Sequence, residues 1–284
     1  MTQTPRYGKL NGGADLDEAG QGDEGGGEGR MTEEAAAAVA AEAAKFDAIG
    51  VEWRDPDGAF APLHAMQPAR LSFLRGHLDA LAAPAAAMGR RPLTGLRVLD
   101  IGAGGGLAAE PLARLGAAVV GVDPSAEAVA AASARAEGFG LPIAYRLGDS
   151  AAAARQAAET GERFDAVIAL EVVEHAPDRD AFARDLSACL KPGGLAILST
   201  LNRTAASYLG AILAAERLLG WLPKGTHEWR RFPTPDELSA SLLAAGLEEV
   251  DRTGFVYEPA ARRWRQDPAR LEINYALAAV KRAL

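Results

Sequence analysis

Residues Val98–Gly106 read V-L-D-I-G-A-G-G-G, and Asp123 follows 21 positions after Gly102, within V-V-G-V-D-P at Val119–Pro124. An apolar run that ends in glycines is a strand entering a turn. Without Cβ atoms, that turn can adopt φ > 0 and bring its backbone close to a ligand. An acid about 20 residues further on marks the end of a second strand, placed to accept hydrogen bonds from two ribose hydroxyls.

The stretch departs from a dinucleotide fingerprint. G-x-G-x-x-G counted from Gly102 needs glycine at position 107, which is Leu107. Asp100 stands two residues before the first glycine. An acid there repels a pyrophosphate and suits the cationic amine of a methionine moiety. S-adenosylmethionine carries that amine and a ribose but no phosphate, so the expectation is a methyltransferase-type site. The bland alternative is a strand–turn–helix with a purely structural turn.

Outward from this stretch the pattern alternates. Strands are expected at 97–101, 118–123, 142–146, 164–170 and 194–200. Helices are expected at 106–115, 125–137, 150–159 and 179–190. Short apolar strands between helices predict a parallel, doubly wound α/β sheet with its ligand at the strands' carboxyl ends. Thr234 with Glu237 three residues on predicts a capping box opening a helix over 234–246. Strands at 247–257 and 272–281 close the chain.

Upstream, residues 1–30 form an acidic, glycine-rich stretch expected to be a disordered tail. The domain is expected over 31–284, with an N-terminal helical segment at 31–95 that includes a helix opening at Thr32. The prolines and Gly58 of Trp53–Arg70, W-R-D-P-D-G-A-F-A-P-L-H-A-M-Q-P-A-R, predict an ordered loop, with a helix starting only near Ala69. An apolar insertion is expected over 203–232. Within it, residues 205–222 carry charge only at Glu216 and Arg217. That stretch reads either as a buried helix or as an interfacial segment with Trp221 and Lys224 at headgroup level.

Leu170–His175, L-E-V-V-E-H, follows the fourth strand of this pattern. Leu170 is placed to lie against an adenine face. Glu171, Glu174 and His175 fall at i, i+3 and i+4, one face of a helical turn. They could hold a divalent ion, or His175 could act as general base on a phenolic hydroxyl, or they could be the ordinary charges of a helix start. Asp149 could meet an adenine amino group or simply cap a helix. His227 reads as a structural histidine before it reads as a second base.

A net charge of −8 opposes a broad nucleic-acid surface. The basic pairs Arg230-Arg231 and Arg262–Arg265 read as solvated faces. Cys189 is the one cysteine, so no intrachain disulfide forms, and it reads as a small buried hydrophobe. No secretory signal and no span of about 20 apolar residues is apparent.

The strings quoted above, with S-T-L-N-R at 199–203 and P-K-G-T-H-E-W at 223–229, resemble the ubiquinone biosynthesis O-methyltransferase family over about residues 44–280. The resemblance implies a class I methyltransferase fold, Rossmann-like, with a mostly parallel seven-stranded sheet broken by one antiparallel strand and helices on both faces. It implies S-adenosylmethionine held by Arg70, Gly102, Asp123 and Leu170. It implies that Glu171, Glu174 and His175 match a segment proposed to bind Mg²⁺; His175 and Glu174 are read from the residues themselves as the catalytic candidates. The implied substrates are polyprenyl catechols, 2-polyprenyl-6-hydroxyphenol and 3-demethylubiquinol. The implied setting is cytoplasmic, transiently on the inner-membrane surface, with other ubiquinone-biosynthesis proteins as further partners. Arg54 and Ala103 depart from the family's usual Trp and Cys. Another small-molecule methyltransferase and a non-catalytic S-adenosylmethionine-binding subunit remain as rivals. An NAD(P)-dependent reductase is opposed by Asp100 and Leu107.

Overall fold

The side chains of β1 (Arg97–Ile101) alternate between two hydrophobic layers, and that alternation organises the molecule. Leu99 and Ile101 enter one buried cluster, Val98 the other. The same period of two sorts Val120 and Val122 from Val119, and Val167 and Ala169 from Ala166 and Ile168. A strand buried on both faces needs a helical layer on each side, and the chain supplies both.

The structure is a computed structural model that describes residues 61–82, 90–208 and 229–282. The readings for the 1–30 tail, the Thr32 helix, the stretch Trp53–Phe60 and the insertion beyond Tyr208, with Trp221, Lys224 and His227, lie outside these residues.

In chain order, α1 (Ala61–Leu81) precedes β1, and α2 (Ala109–Arg114) and β2 (Ala118–Asp123) follow it. Next come α3 (Ala126–Gly138), β3 (Ile143–Leu147), α4 (Ser150–Thr160), β4 (Phe164–Leu170), α5 (Arg179–Cys189) and β5 (Leu190–Leu201). The remainder is α6 (Pro235–Ala244), β6 (Leu247–Glu258), β7 (Arg263–Asp267) and β8 (Asn274–Lys281). The strand order is β3-β2-β1-β4-β5-β8-β6-β7. β1 to β5 run parallel, whereas β8 inserts antiparallel between β5 and β6. The parallel α/β expectation and its antiparallel break are both met.

The layer over Leu99 comes from Ala153 and Ala157 of α4, Phe182 and Leu186 of α5, and Leu238 and Leu242 of α6. The opposite layer comes from Phe73, Leu74 and Leu78 of α1 and Leu112 and Ala113 of α2. The Thr234–Glu237 capping box that opens α6 forms as its spacing predicts.

Four elements differ from expectation, one of them β5, which begins at Leu190 rather than at 194. The sheet has eight strands rather than seven, because β7 pairs antiparallel with β6. R-W-R-Q-D has no apolar run to announce it; Trp264 packs onto the α1 layer while Arg265 pairs with Glu258 and Asp267. α1 begins at Ala61 and runs through Pro68 instead of starting near Ala69. Pro68 lies on its exposed side, and burial of Met66, Ala69, Phe73 and Leu74 outweighs the lost donor. α2 starts three residues later than expected, since Gly104 and Gly106 adopt φ +49° and +76° ahead of it.

Candidate active site

The carboxyl ends of β1, β2, β4 and β5 come together, and each expected site residue within the described segments lies on or beside them. At the end of β1, the Gly102 and Ala103 N–H groups donate to the Val122 carbonyl at 2.8 and 3.1 Å, drawing the glycine turn against β2. Gly102 has φ +68°, and a Cβ there would lie 2.4 Å from Val172 Cγ2. The turn therefore needs glycine twice over, for its conformation and for the close approach of the segment after β4.

Asp123 ends β2. Its Oδ2 accepts from the Gly104 N–H at 2.7 Å and its Oδ1 from the Ser125 N–H at 2.9 Å. Backbone donors thus hold both oxygens of the carboxylate and fix its orientation at the strand end. Asp100 is buried under the same turn and accepts from the Ala109 N–H, while its Oδ2 has no hydrogen-bond partner. Burial first, and then the Asp123 charge, push its pKa up to about 8. A cation placed beside this pair would offset both effects.

α1 reaches over the turn from the other side. Gln67 Nε2 donates to the Leu107 carbonyl at 2.7 Å, fastening the helix to the glycine loop. One turn on, the buried Arg70 donates through Nη2 to Glu171 Oε1 at 2.6 Å, and its Nε has no partner. Ser199 Oγ, near the end of β5, donates to the same Glu171 oxygen at 2.7 Å. β7 supports this helix from behind, with Gln266 Nε2 reaching the Ala69 carbonyl at 3.5 Å. Leu170, half-buried at the end of β4, packs on the α1 layer.

Glu174 is the second acid of the cleft. Its Oε2 accepts from Thr200 Oγ1 at 2.7 Å, and its Oε1 is buried without a partner. Burial and the neighbouring Glu171 raise its pKa to about 7, against the opposing pull of His175 and of the Thr200 hydrogen bond. His175 is half-buried beside it, its backbone N–H bonded to the Val172 carbonyl at 2.9 Å.

The helical-face reading of Glu171, Glu174 and His175 is not met. The turn is a 3-10 helix of three residues, Val173–His175, and Glu171 stands outside it at φ +58°. Among the described residues no three His, Cys, Asp or Glu side chains form a metal-holding group. Glu171 is instead engaged by Arg70 and Ser199, and Glu174 by Thr200.

Asp149 caps α4, accepting from the Ala152 N–H at 2.8 Å. Cys189 is buried with its thiol pushed up to about 12, which matches its reading as an unreactive core residue. Gln67, Ser199 and Thr200 belong to the site although spacing assigned them nothing. The available signal was a pair of hydroxyls closing the apolar run of β5. No helix among the described residues is long and apolar enough to cross a membrane.

A family model described as a methyltransferase domain matches residues 71–251. The ubiquinone biosynthesis O-methyltransferase of Azorhizobium caulinodans is 48% identical over 238 residues, 83% of this chain and 91% of the relative. That of Dinoroseobacter shibae is 47% identical over 247 residues, 85% and 96% respectively. Among solved structures, a magnesium protoporphyrin IX methyltransferase from Synechocystis with bound SAH is 24% identical, with a TM-score of 0.47 over 76% of this chain and 85% of that one.

Proposed function

The chain belongs to the ubiquinone biosynthesis O-methyltransferase family, and from that premise we propose how its residues divide the work. It is a class I, S-adenosylmethionine-dependent O-methyltransferase of ubiquinone biosynthesis with a quinone-type substrate. The finer acceptors proposed are the polyprenyl catechols 2-polyprenyl-6-hydroxyphenol and 3-demethylubiquinol.

Bound S-adenosylmethionine supplies an electrophilic methyl group, which passes to the phenolic oxygen as its bond to sulfur breaks. The protein's part is alignment and proton removal. Asp123 takes the ribose hydroxyls and Leu170 walls the adenine. Gly102 lets the backbone approach, Asp100 faces the methionyl ammonium, and Arg70 takes the methionyl carboxylate. His175 accepts the phenolic proton. Glu174, when ionised, stabilises the imidazolium that forms, a role consistent with the mutual attraction of these two groups.

The residue assignments rest on one observation. Arg70 Nε, Asp100 Oδ2 and Glu174 Oε1 are buried polar atoms without partners, and all three belong to residues around this cleft. Native proteins satisfy such atoms, so a polar ligand that completes them is the economical account. Glu171, Glu174 and His175 do not fit a Mg²⁺ site as they stand, because the three do not come together as a metal-holding group among the described residues and Glu171 is turned to Arg70 and Ser199. The proton is therefore assigned to protein groups alone.

The apolar residues 205–222 suggest where a polyprenyl tail would lie, with the protein resting transiently on the cytoplasmic face of the inner membrane beside other proteins of the pathway.

The test is S-adenosylhomocysteine release from a short-chain polyprenyl catechol, in chelator and with Mg²⁺ restored. Catechol-dependent release in chelator is expected. His175→Ala should lower kcat by about 10²–10⁴ while S-adenosylhomocysteine still binds. Wild-type turnover by that variant, or activity that returns only with Mg²⁺, would overturn the assignment of the proton. No release with any catechol, from protein that binds S-adenosylmethionine, would overturn the acceptor class.

A further inference from the structure

We propose that Glu171 is a built-in stand-in for the cofactor's carboxylate: it pairs with Arg70, and it competes with S-adenosylhomocysteine for that arginine so that product leaves. The proposal rests on the methyl-transfer reading of the site and adds to it a residue that sets cofactor affinity.

The chemistry of Arg70 carries the argument. Its side chain is 4% exposed. A guanidinium offers five N–H donors in a planar fork matched to two carboxylate oxygens. Glu171 engages it through Oε1 alone, at 2.6 Å, and the buried Nε is left without a partner. That same oxygen also accepts the Ser199 hydroxyl at 2.7 Å, so the arginine shares it. The fork is thus half-used by an internal carboxylate and retains room for a better-placed one.

The placement of Glu171 points the same way. Its neighbour Val172 packs against Gly102, within 2.4 Å of where a Cβ would be, so the segment lies directly on the cofactor turn. Its backbone is left-handed at φ +58°, a conformation that a non-glycine residue keeps when its surroundings impose it. The Glu171 N–H donation to the Ser199 carbonyl at 2.8 Å and the Ser199 hydroxyl together hold it there. A ligand with its ribose on Asp123 and its ammonium toward Asp100 has one further group that an arginine could meet, its carboxylate. Arg70 is the buried arginine among the described residues, and Gln67, three residues before it on the same helix, bonds the glycine loop.

Binding of the methionyl arm then exchanges one carboxylate for another on Arg70. The exchange offsets part of the binding energy, and it does so only for ligands that carry the arm. This separates the proposal from a structural role for the ion pair, which would affect all ligands or none.

The experiment is calorimetric titration of the full chain with S-adenosylhomocysteine and with 5′-methylthioadenosine, which lacks the amino-acid arm. Glu171→Gln should tighten S-adenosylhomocysteine by roughly tenfold, the scale of one hydrogen bond to a charged group, and leave methylthioadenosine unchanged. Glu171→Asp keeps the charge but withdraws it by one methylene. It should shift affinity in the same direction and serves if the glutamine variant does not fold. Unchanged S-adenosylhomocysteine affinity in the folded variants, or equal tightening of both ligands, would overturn the proposal. Wild-type protein that binds neither ligand would overturn the methyl-transfer reading itself.

Discussion

Glu174 shows how burial converts an ordinary carboxylate into a group that titrates near neutrality. Its pKa is raised to about 7, chiefly by desolvation and then by Glu171. Only the ionised form can stabilise a protonated His175, so kcat should fall as the pH drops below about 7. Glu174→Gln should lower kcat by about 10², toward the lower end of general-base contributions, and should shift that limb of the pH–rate profile, since His175 must still be unprotonated to act. A variant with an unmoved limb would show that Glu174 does not contribute to it. Asp123→Asn removes the charge from two backbone hydrogen bonds and from any ribose contact. S-adenosylhomocysteine affinity should fall by about tenfold to a hundredfold, read by titration. Asp100 and Asp123 were legible because each sits at a fixed offset from a glycine-ended strand. Ser199 and Thr200 were not, since nothing local says that their hydroxyls meet Glu171 and Glu174 from a neighbouring strand.

At the scale of the element, the glycine turn is where local sequence and tertiary contact agree most closely. Gly102→Ala meets both a positive φ and the side chain of Val172. It should cost about 1–3 kcal/mol of stability, read by denaturant unfolding, and should weaken S-adenosylhomocysteine binding because the segment after β4 must move. A variant with wild-type stability and affinity would show that the turn yields freely. The strands of the parallel half were legible from apolar runs bounded by turn residues. β7 was hidden because R-W-R-Q-D alternates charged residues around one tryptophan, and its strand state depends on β6 and α1. α1 was misread for the converse reason: two prolines signal a break, yet its apolar face finds a complete layer to cover.

For the whole molecule, the buried acids couple stability to pH. Asp100 has a folded pKa of about 8 against an ordinary value of 3.8, so between those limits the folded protein holds a proton that the unfolded chain releases. Stability from this group is thus present at low pH and is lost as the pH rises toward 8, and Glu174 adds to the same slope up to about 7. The melting temperature of the ligand-free protein should fall across that range. Asp100→Asn should flatten the fall, and an unaltered slope in the variant would show that Asp100 does not titrate there. Building two buried carboxylates into the ligand cleft costs the empty fold stability and leaves it ready for a cationic ligand.

The sequence by itself determined the features that depend on near neighbours along the chain. These are the alternating strands and helices, the glycine turn between Asp100 and Gly106, the acid at Asp123 and the capping box at Thr234. Periodicity, turn chemistry and capping act over a few residues, so they are written in order. Only the tertiary structure decided which of those parts meet. Arg70 and Glu171 are 101 positions apart, yet their ion pair, with Ser199 from a third element, commits a carboxylate that spacing alone had offered to a metal. The burial that raises the pKa of Asp100 and Glu174 is likewise a property of packed layers. Desolvation and ion pairing are set by what surrounds a side chain in space, and distance along the chain does not encode that.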